Sequence, residues 1–208
     1  MRDYLDAQVA DWLLAHGGYH FCGLYSLDRE AFLRLPTLLR GRVLAQVMAR
    51  IGPVKFAASE MSLSHADSLM AARSHGGLTL GGCMIRWRSS DIMIGREAAA
   101  LDGLPPMPLV RTGSVWDRRF FVEIRKGKKA KAGLFAAPLG AAGLAQLESA
   151  GLQVLKGVPR CYLHVLPAVF DMTGLVSCPV LVHQTPVDMV AWQPGAPYLR
   201  DLSAMAGW

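Results

Sequence analysis

The chain has 208 residues, 52% of them hydrophobic and only 18% charged, with a net charge of +6 at pH 7. That composition excludes an intrinsically disordered chain and can fill one large core or two small ones, with two expected. The basic balance favours a nucleic acid or an acidic surface as partner.

Along residues 3 to 15, Leu5, Val9, Trp12 and Leu13 recur at helical spacing between Asp3, Asp6 and Asp11, and Gly17-Gly18 stops this first helix. Residues 19 to 27 read as a strand or an extended connection. Asp28 can cap a short helix through Leu35, and Pro36 suits the first turn of a longer helix ending near Gly52. Leu39, Leu44, Val43, Val47, Met48 and Ile51 form its apolar face. Arg42, Gln46 and Arg50 form an opposite stripe, either solvated or touching phosphate. A third helix starts at Ser59 or Ser62 and ends at Gly76-Gly77. The pattern then turns extended: 78 to 87 reads as a strand with a bulge or close backbone approach at Gly81-Gly82. Ser89-Ser90-Asp91 turns it, and Ile92-Met93-Ile94 returns as its partner. Pro105, Pro106 and Pro108 mark a domain boundary.

The second unit opens on 114 to 138, read as two antiparallel strands joined by a loop with five cations in seven residues, Arg125, Lys126, Lys128, Lys129 and Lys131. Such a loop repels itself unless an anion sits opposite, and phosphate is the usual cellular anion; the alternative is a solvated, solubilising hairpin tip. A helix follows over 139 to 150, with Leu144 and Leu147 facing inward. A last hairpin pairs 166 to 171 with Leu175-Val176 across a Met172-Thr173-Gly174 turn. The expected fold class is α+β. An N-terminal helical, substrate-binding unit with a terminal β-hairpin covers 1–102. A small mixed α/β unit built on antiparallel hairpins covers 103–184, and a poorly ordered tail, 185–208, carries Trp192 and Trp208.

The four cysteines, Cys22, Cys83, Cys161 and Cys178, have no C-x-x-C spacing and read as reduced, mostly buried thiols of a cytoplasmic protein. No secretory leader is expected, since Met1-Arg2-Asp3-Tyr4 turns acidic before any apolar run. The apolar stretch 132–151 is interrupted by Pro138, Gly140, Gly143, Gln146 and Glu148, so no membrane partner is expected. None of the Gly-Gly pairs leads into a helix as a phosphate cradle requires. The six histidines show no metal-ligand spacing, and no metal site is expected. No carboxylate pair suggests acid–base work, and no catalytic residue is assigned. The basic residues carry more information. Arg86 and Arg88 flank Trp87, Arg118 and Arg119 lie between Trp116 and Phe120, and 125 to 131 follow at once. Cations beside aromatics in short strands fit a surface that holds phosphates and stacks a base, unless the tryptophans are core.

Several phrases then fall in a telling order. Thr79-Leu80-Gly81-Gly82-Cys83 is followed by Arg96-Glu97-Ala98-Ala99. Val115-Trp116-Asp117-Arg118-Arg119-Phe120 comes next, then Ala137-Pro138-Leu139-Gly140, Arg160, and Leu166-Pro167-Ala168-Val169-Phe170-Asp171. Together they resemble the C-terminal half of bacterial tRNA(Ile)-lysidine synthase, over roughly residues 5 to 182. Arg118 stands where that family's phrase has Gly, and Met172-Thr173-Gly174 departs from its usual Asp-Gly turn. The resemblance implies an ATP-dependent ligase that joins lysine to C2 of the wobble cytidine of isoleucine tRNA, so that it reads AUA. The family's ATP-binding Ser-Gly-Gly-x-Asp-Ser loop does not occur in this sequence. The resemblance therefore implies the tRNA-binding portion, from a truncated copy or a split enzyme, without catalysis by this chain alone. ATP and Mg are implied only for a separate catalytic polypeptide, which with tRNA would be a partner; DNA is not expected.

The expected tRNA contacts are Arg125, Lys126, Lys128, Lys129 and Lys131, with Arg118 and Arg119 extending the track and Arg86, Arg88 and Arg160 secondary. The alternative function is a protein-interaction module docking a separate ATPase subunit. A hydrolase using one of the cysteines is a third reading.

Overall fold

The computed structural model describes residues 2–53, 57–110, 112–124, 133–151, 157–181 and 187–191. The chain is α+β and divides into two compact units, Met1–Asp102 and Gly103–Trp208.

The first unit begins with α1 (Arg2–His16), β1 (Gly17–Tyr19), β2 (Tyr25–Asp28) and α2 (Arg29–Arg34). Then come α3 (Thr37–Ile51), α4 (Glu60–Ala72), β3 (Gly76–Leu80), β4 (Cys83–Trp87) and β5 (Asp91–Arg96). The strands form one antiparallel sheet in the order β1-β2-β5-β4-β3. Alternation decides which side chains of β2 and β4 enter the core, Tyr25 and Leu27 of β2 and Cys83, Ile85 and Trp87 of β4, whereas β5 buries Ile92, Met93 and Ile94 in succession. Against them pack Val9 and Leu13 of α1, Val43, Leu44, Val47, Met48 and Ile51 of α3, and Leu63, Ala66 and Met70 of α4.

Local capping sets the helix limits as the sequence suggests. Asp28 Oδ1 accepts a hydrogen bond from Ala31 N at 2.9 Å, and Ser59 Oγ accepts one from Ser62 N at 3.2 Å. The last turn of α4 is held from outside: Arg29 Nη2 donates to Met70 O at 2.7 Å and to Arg73 O at 2.8 Å. Arg40 ties α3 to α4. Its Nη2 donates to Asp67 Oδ2 at 2.9 Å, while Nε lies 2.7 Å from Oδ1 at an angle poor for a hydrogen bond. The stripe opposite the apolar face of α3 is not simply solvated. Arg42 Nη1 donates to Asp6 Oδ1 at 2.8 Å and fastens α1 to α3.

Two expectations in this unit need correction. The third helix ends at Ala72, and Gly76-Gly77 open β3 instead of capping it. A side chain at position 76 would collide with the Trp87 ring, because an added Cβ would lie 2.3 Å from Trp87 Cζ2. Residues 78 to 87 are also not one strand. Gly81 and Gly82, with φ of +58° and +72°, form the two-residue turn between β3 and β4, where Leu80 pairs with Cys83. Two consecutive positive φ values match the twist of a tight hairpin, which glycine supplies without steric cost.

The second unit contains β6 (Met107–Pro108), β7 (Ser114–Trp116), β8 (Phe120–Ile124), β9 (Phe135–Pro138) and α5 (Gly140–Ser149). It continues with α6 (Arg160–Leu163), β10 (Pro167–Asp171), β11 (Gly174–Ser177) and β12 (Val187–Ala191). Its strands form two antiparallel sheets, β11-β10-β9-β6 and β12-β8-β7. The hairpin expected across 172 to 174 is present as β10–β11. The basic hairpin is not. β8 pairs with β7 and β12, whereas β9 pairs with β10 and β6, so the strands flanking the cationic segment belong to different sheets. Sequence adjacency suggested a hairpin, but the non-local partners β12 and β10 occupy the edges through which β8 and β9 would have met. Within the stretch expected as a tail, Val187–Ala191 run antiparallel along β8. Trp192 and Trp208 lie outside the described residues. Among the described residues, no helix is long and apolar enough to cross a membrane.

Candidate nucleic-acid interface

The arginines proposed as phosphate contacts divide by environment. Arg119 is 1% exposed. Its Nε donates to Asp117 Oδ2 at 2.7 Å and its Nη2 to Val165 O at 2.9 Å. Its guanidinium carbon lies 5.7 Å from the Trp116 ring centroid and 5.2 Å from that of Phe120. This cation has been taken into the core of the second unit, and its assignment as a tRNA contact is withdrawn. A buried guanidinium is stable only when its donors meet acceptors, and Asp117 with the Val165 carbonyl meets that need.

Arg118, the next residue back, is exposed. Asp117 and Arg118 have φ of +46° and +58°, and Arg119 N donates to Trp116 O at 3.0 Å. Two central residues with positive φ give the pattern of a type I′ turn. Arg118 has no ion pair or hydrogen bond among the described residues.

Arg86 is likewise exposed, because β4 alternates Cys83, Ile85 and Trp87 inward with Arg86 outward. It too has no ion pair among the described residues. Arg88 donates to both carboxylate oxygens of Asp91, at 3.2 and 3.0 Å. Arg160 Nη2 donates to Glu148 Oε2 at 2.7 Å. These arginines are 53% and 57% exposed, and pairs so open to water are weak enough for a phosphate to compete. Arg125, Lys126, Lys128, Lys129 and Lys131 lie outside the described residues. Their segment follows Ile124, at the opposite end of β8 from the Arg118 turn. A rise of 3.4 Å per residue from Phe120 to Ile124 separates the ends by about 14 Å.

The aromatic neighbours are structural. Trp87 is 2% and Trp116 1% exposed, and Trp87 Nε1 donates to Arg73 O at 3.1 Å. Neither indole is open for a base to stack on. The thiols are placed for packing: Cys22, Cys83 and Cys178 are buried. Burial pushes the Cys178 thiol up to about 12, far from a thiolate at neutral pH. Among the described residues no three His, Cys, Asp or Glu side chains gather into a ligating group. One polar pair gave no sequence signal: His20 Nε2 lies 2.9 Å from Ser26 Oγ. Burial lowers the His20 pKa, partly opposed by the Asp91 carboxylate. Arg96, at the end of β5, is also buried, 1% exposed.

The separated phrases of the sequence meet in space within each unit. In the first, Cys83 pairs with Arg96 across β4 and β5, and Glu97 N donates to Gly82 O at 3.0 Å. In the second, Leu139 N donates to Leu166 O at 2.8 Å, while Arg119 reaches Val165 O and Gly140 N reaches His164 O, both just outside the phrase that begins at Leu166. Pro138 and Ala137 pair with Pro167 and Ala168. In comparisons with known proteins, no family model and no curated protein matches the chain.

Proposed function

We propose that this chain is the tRNA-binding portion of a tRNA(Ile)-lysidine synthase, acting in the cytoplasm with a separate polypeptide that supplies ATP-dependent adenylation and lysine transfer. One observation carries the reading. Two pairs of the phrases that resemble the family meet, 79–83 with 96–99 in the first unit and 137–140 with 166–171 in the second. The exposed arginines Arg86 and Arg118, the weakly engaged Arg88 and Arg160, and the cations of 125 to 131 supply the charge.

The test is electrostatic first. If about five of these side chains neutralise phosphates, log Kd for tRNA varies with log salt with a slope of magnitude on the order of 4. A slope near zero sinks the reading. Lysine- and ATP-dependent modification of isoleucine tRNA is then assayed with a lysidine synthase catalytic domain, with and without this chain. Stimulation by the chain is the expected result, and equal yields would place it outside the reaction.

A further inference from the structure

A long side chain at positive φ is sterically disfavoured, and one exposed to water gains no packing in return. Arg118 has both properties: φ is +58° and the residue is exposed. Its neighbours explain how the conformation is held. Trp116, Arg119 and Phe120 are buried, Arg119 is fixed through Asp117 and Val165 O, and Trp116 pairs with Phe120 across β7 and β8. The two flanks of the turn are thus anchored, and the chain between them must reverse within Asp117 and Arg118. Asp tolerates this backbone region, but arginine has no such preference. Glycine would satisfy the turn at lower steric cost. Strain that persists where a simpler residue would serve marks a position held for what its side chain does.

We propose that Arg118 is a specific RNA-phosphate contact, displayed at the tip of a strained turn whose rigidity comes from the buried Asp117–Arg119–Val165 linkage. The proposal rests on the tRNA-binding reading above and adds to it a contact fixed by the turn that displays it. A side chain on an anchored turn loses less conformational freedom on binding than one on a flexible loop, so Arg118 contributes register as well as charge.

The experiment compares the full chain with Arg118→Gly, Arg118→Lys and Arg34→Ala, measuring affinity for an isoleucine tRNA transcript over a salt series and Tm for each protein. Arg34 is an exposed arginine paired with Glu30 and has no part in the proposed surface, so it controls for loss of one charge. Arg118→Gly is expected to weaken tRNA binding roughly fivefold to tenfold, to reduce the magnitude of the salt slope by about one, and to raise Tm by about 2–4 °C. Arg118→Lys retains most of the affinity, and Arg34→Ala binds as the wild type does. The proposal is overturned if Arg118→Gly binds as tightly as wild type, if Arg34→Ala weakens binding equally, or if Arg118→Gly lowers Tm. Absence of tRNA binding by the wild-type chain would instead remove the functional reading itself, and Arg118's role with it.

Discussion

Arg118 and Arg119 carry the same charge into opposite environments because the turn between β7 and β8 points one outward and folds the other beneath Trp116 and Phe120. The consequence for Arg119 is a stability effect. Replacing it by Leu leaves Asp117, whose side chain is 9% exposed, with a lost cationic partner and the Val165 carbonyl with a lost donor. Urea denaturation of Arg119→Leu is expected to show a loss of about 3–5 kcal/mol, the usual cost of breaking a buried pair from one side. His20 makes a prediction in pH. Its folded pKa lies below the ordinary 6.5 because burial disfavours the imidazolium, so the unfolded chain binds the proton first. This contribution is intact above pH 6.5 and is lost as pH falls from there toward the lowered folded value. Thermal melts at pH 7.5 and 5.5 should therefore differ less for His20→Gln than for the wild-type chain. Identical differences would show that His20 has no such role.

At the scale of elements, local signals were readable and pairing was not. Asp28, Ser59 and the Pro36 start carried the helix limits, because a cap is decided within three or four residues of the chain. The strands flanking 125 to 131 were also visible, but their partners lie far away in sequence, β12 for one and β10 for the other. The apolar run into β8 and out through β9 looked like a hairpin because alternation records which face is buried and says nothing about the neighbouring strand. The strands on either side of the cationic segment consequently belong to different sheets. Replacing Lys126, Lys128, Lys129 and Lys131 together by Ala should reduce the magnitude of the tRNA salt slope by about 3. Circular dichroism and Tm should be nearly unchanged. An unaltered slope would make the segment a solubility device.

On the scale of the whole molecule, the net charge of +6 is compatible with a polyanionic partner, yet much of the arginine content serves the fold. Arg29 closes α4, Arg40 clamps α3 to α4, Arg42 fastens α1 and Arg119 fills the second unit. A salt slope of magnitude near 4 therefore has to come from the remaining exposed cations, and a value approaching the full basic count would contradict this division. The sequence by itself determined the α+β class, the helix starts at Asp28 and Ser59 and the order of the phrases that carry the resemblance. These follow from periodicity and from contacts between near neighbours. Only the tertiary structure decided which cations face water. Whether an arginine is buried depends on a carboxylate or carbonyl arriving from elsewhere in the chain, as Val165 O does for Arg119 across 46 residues, and no local pattern encodes that arrival.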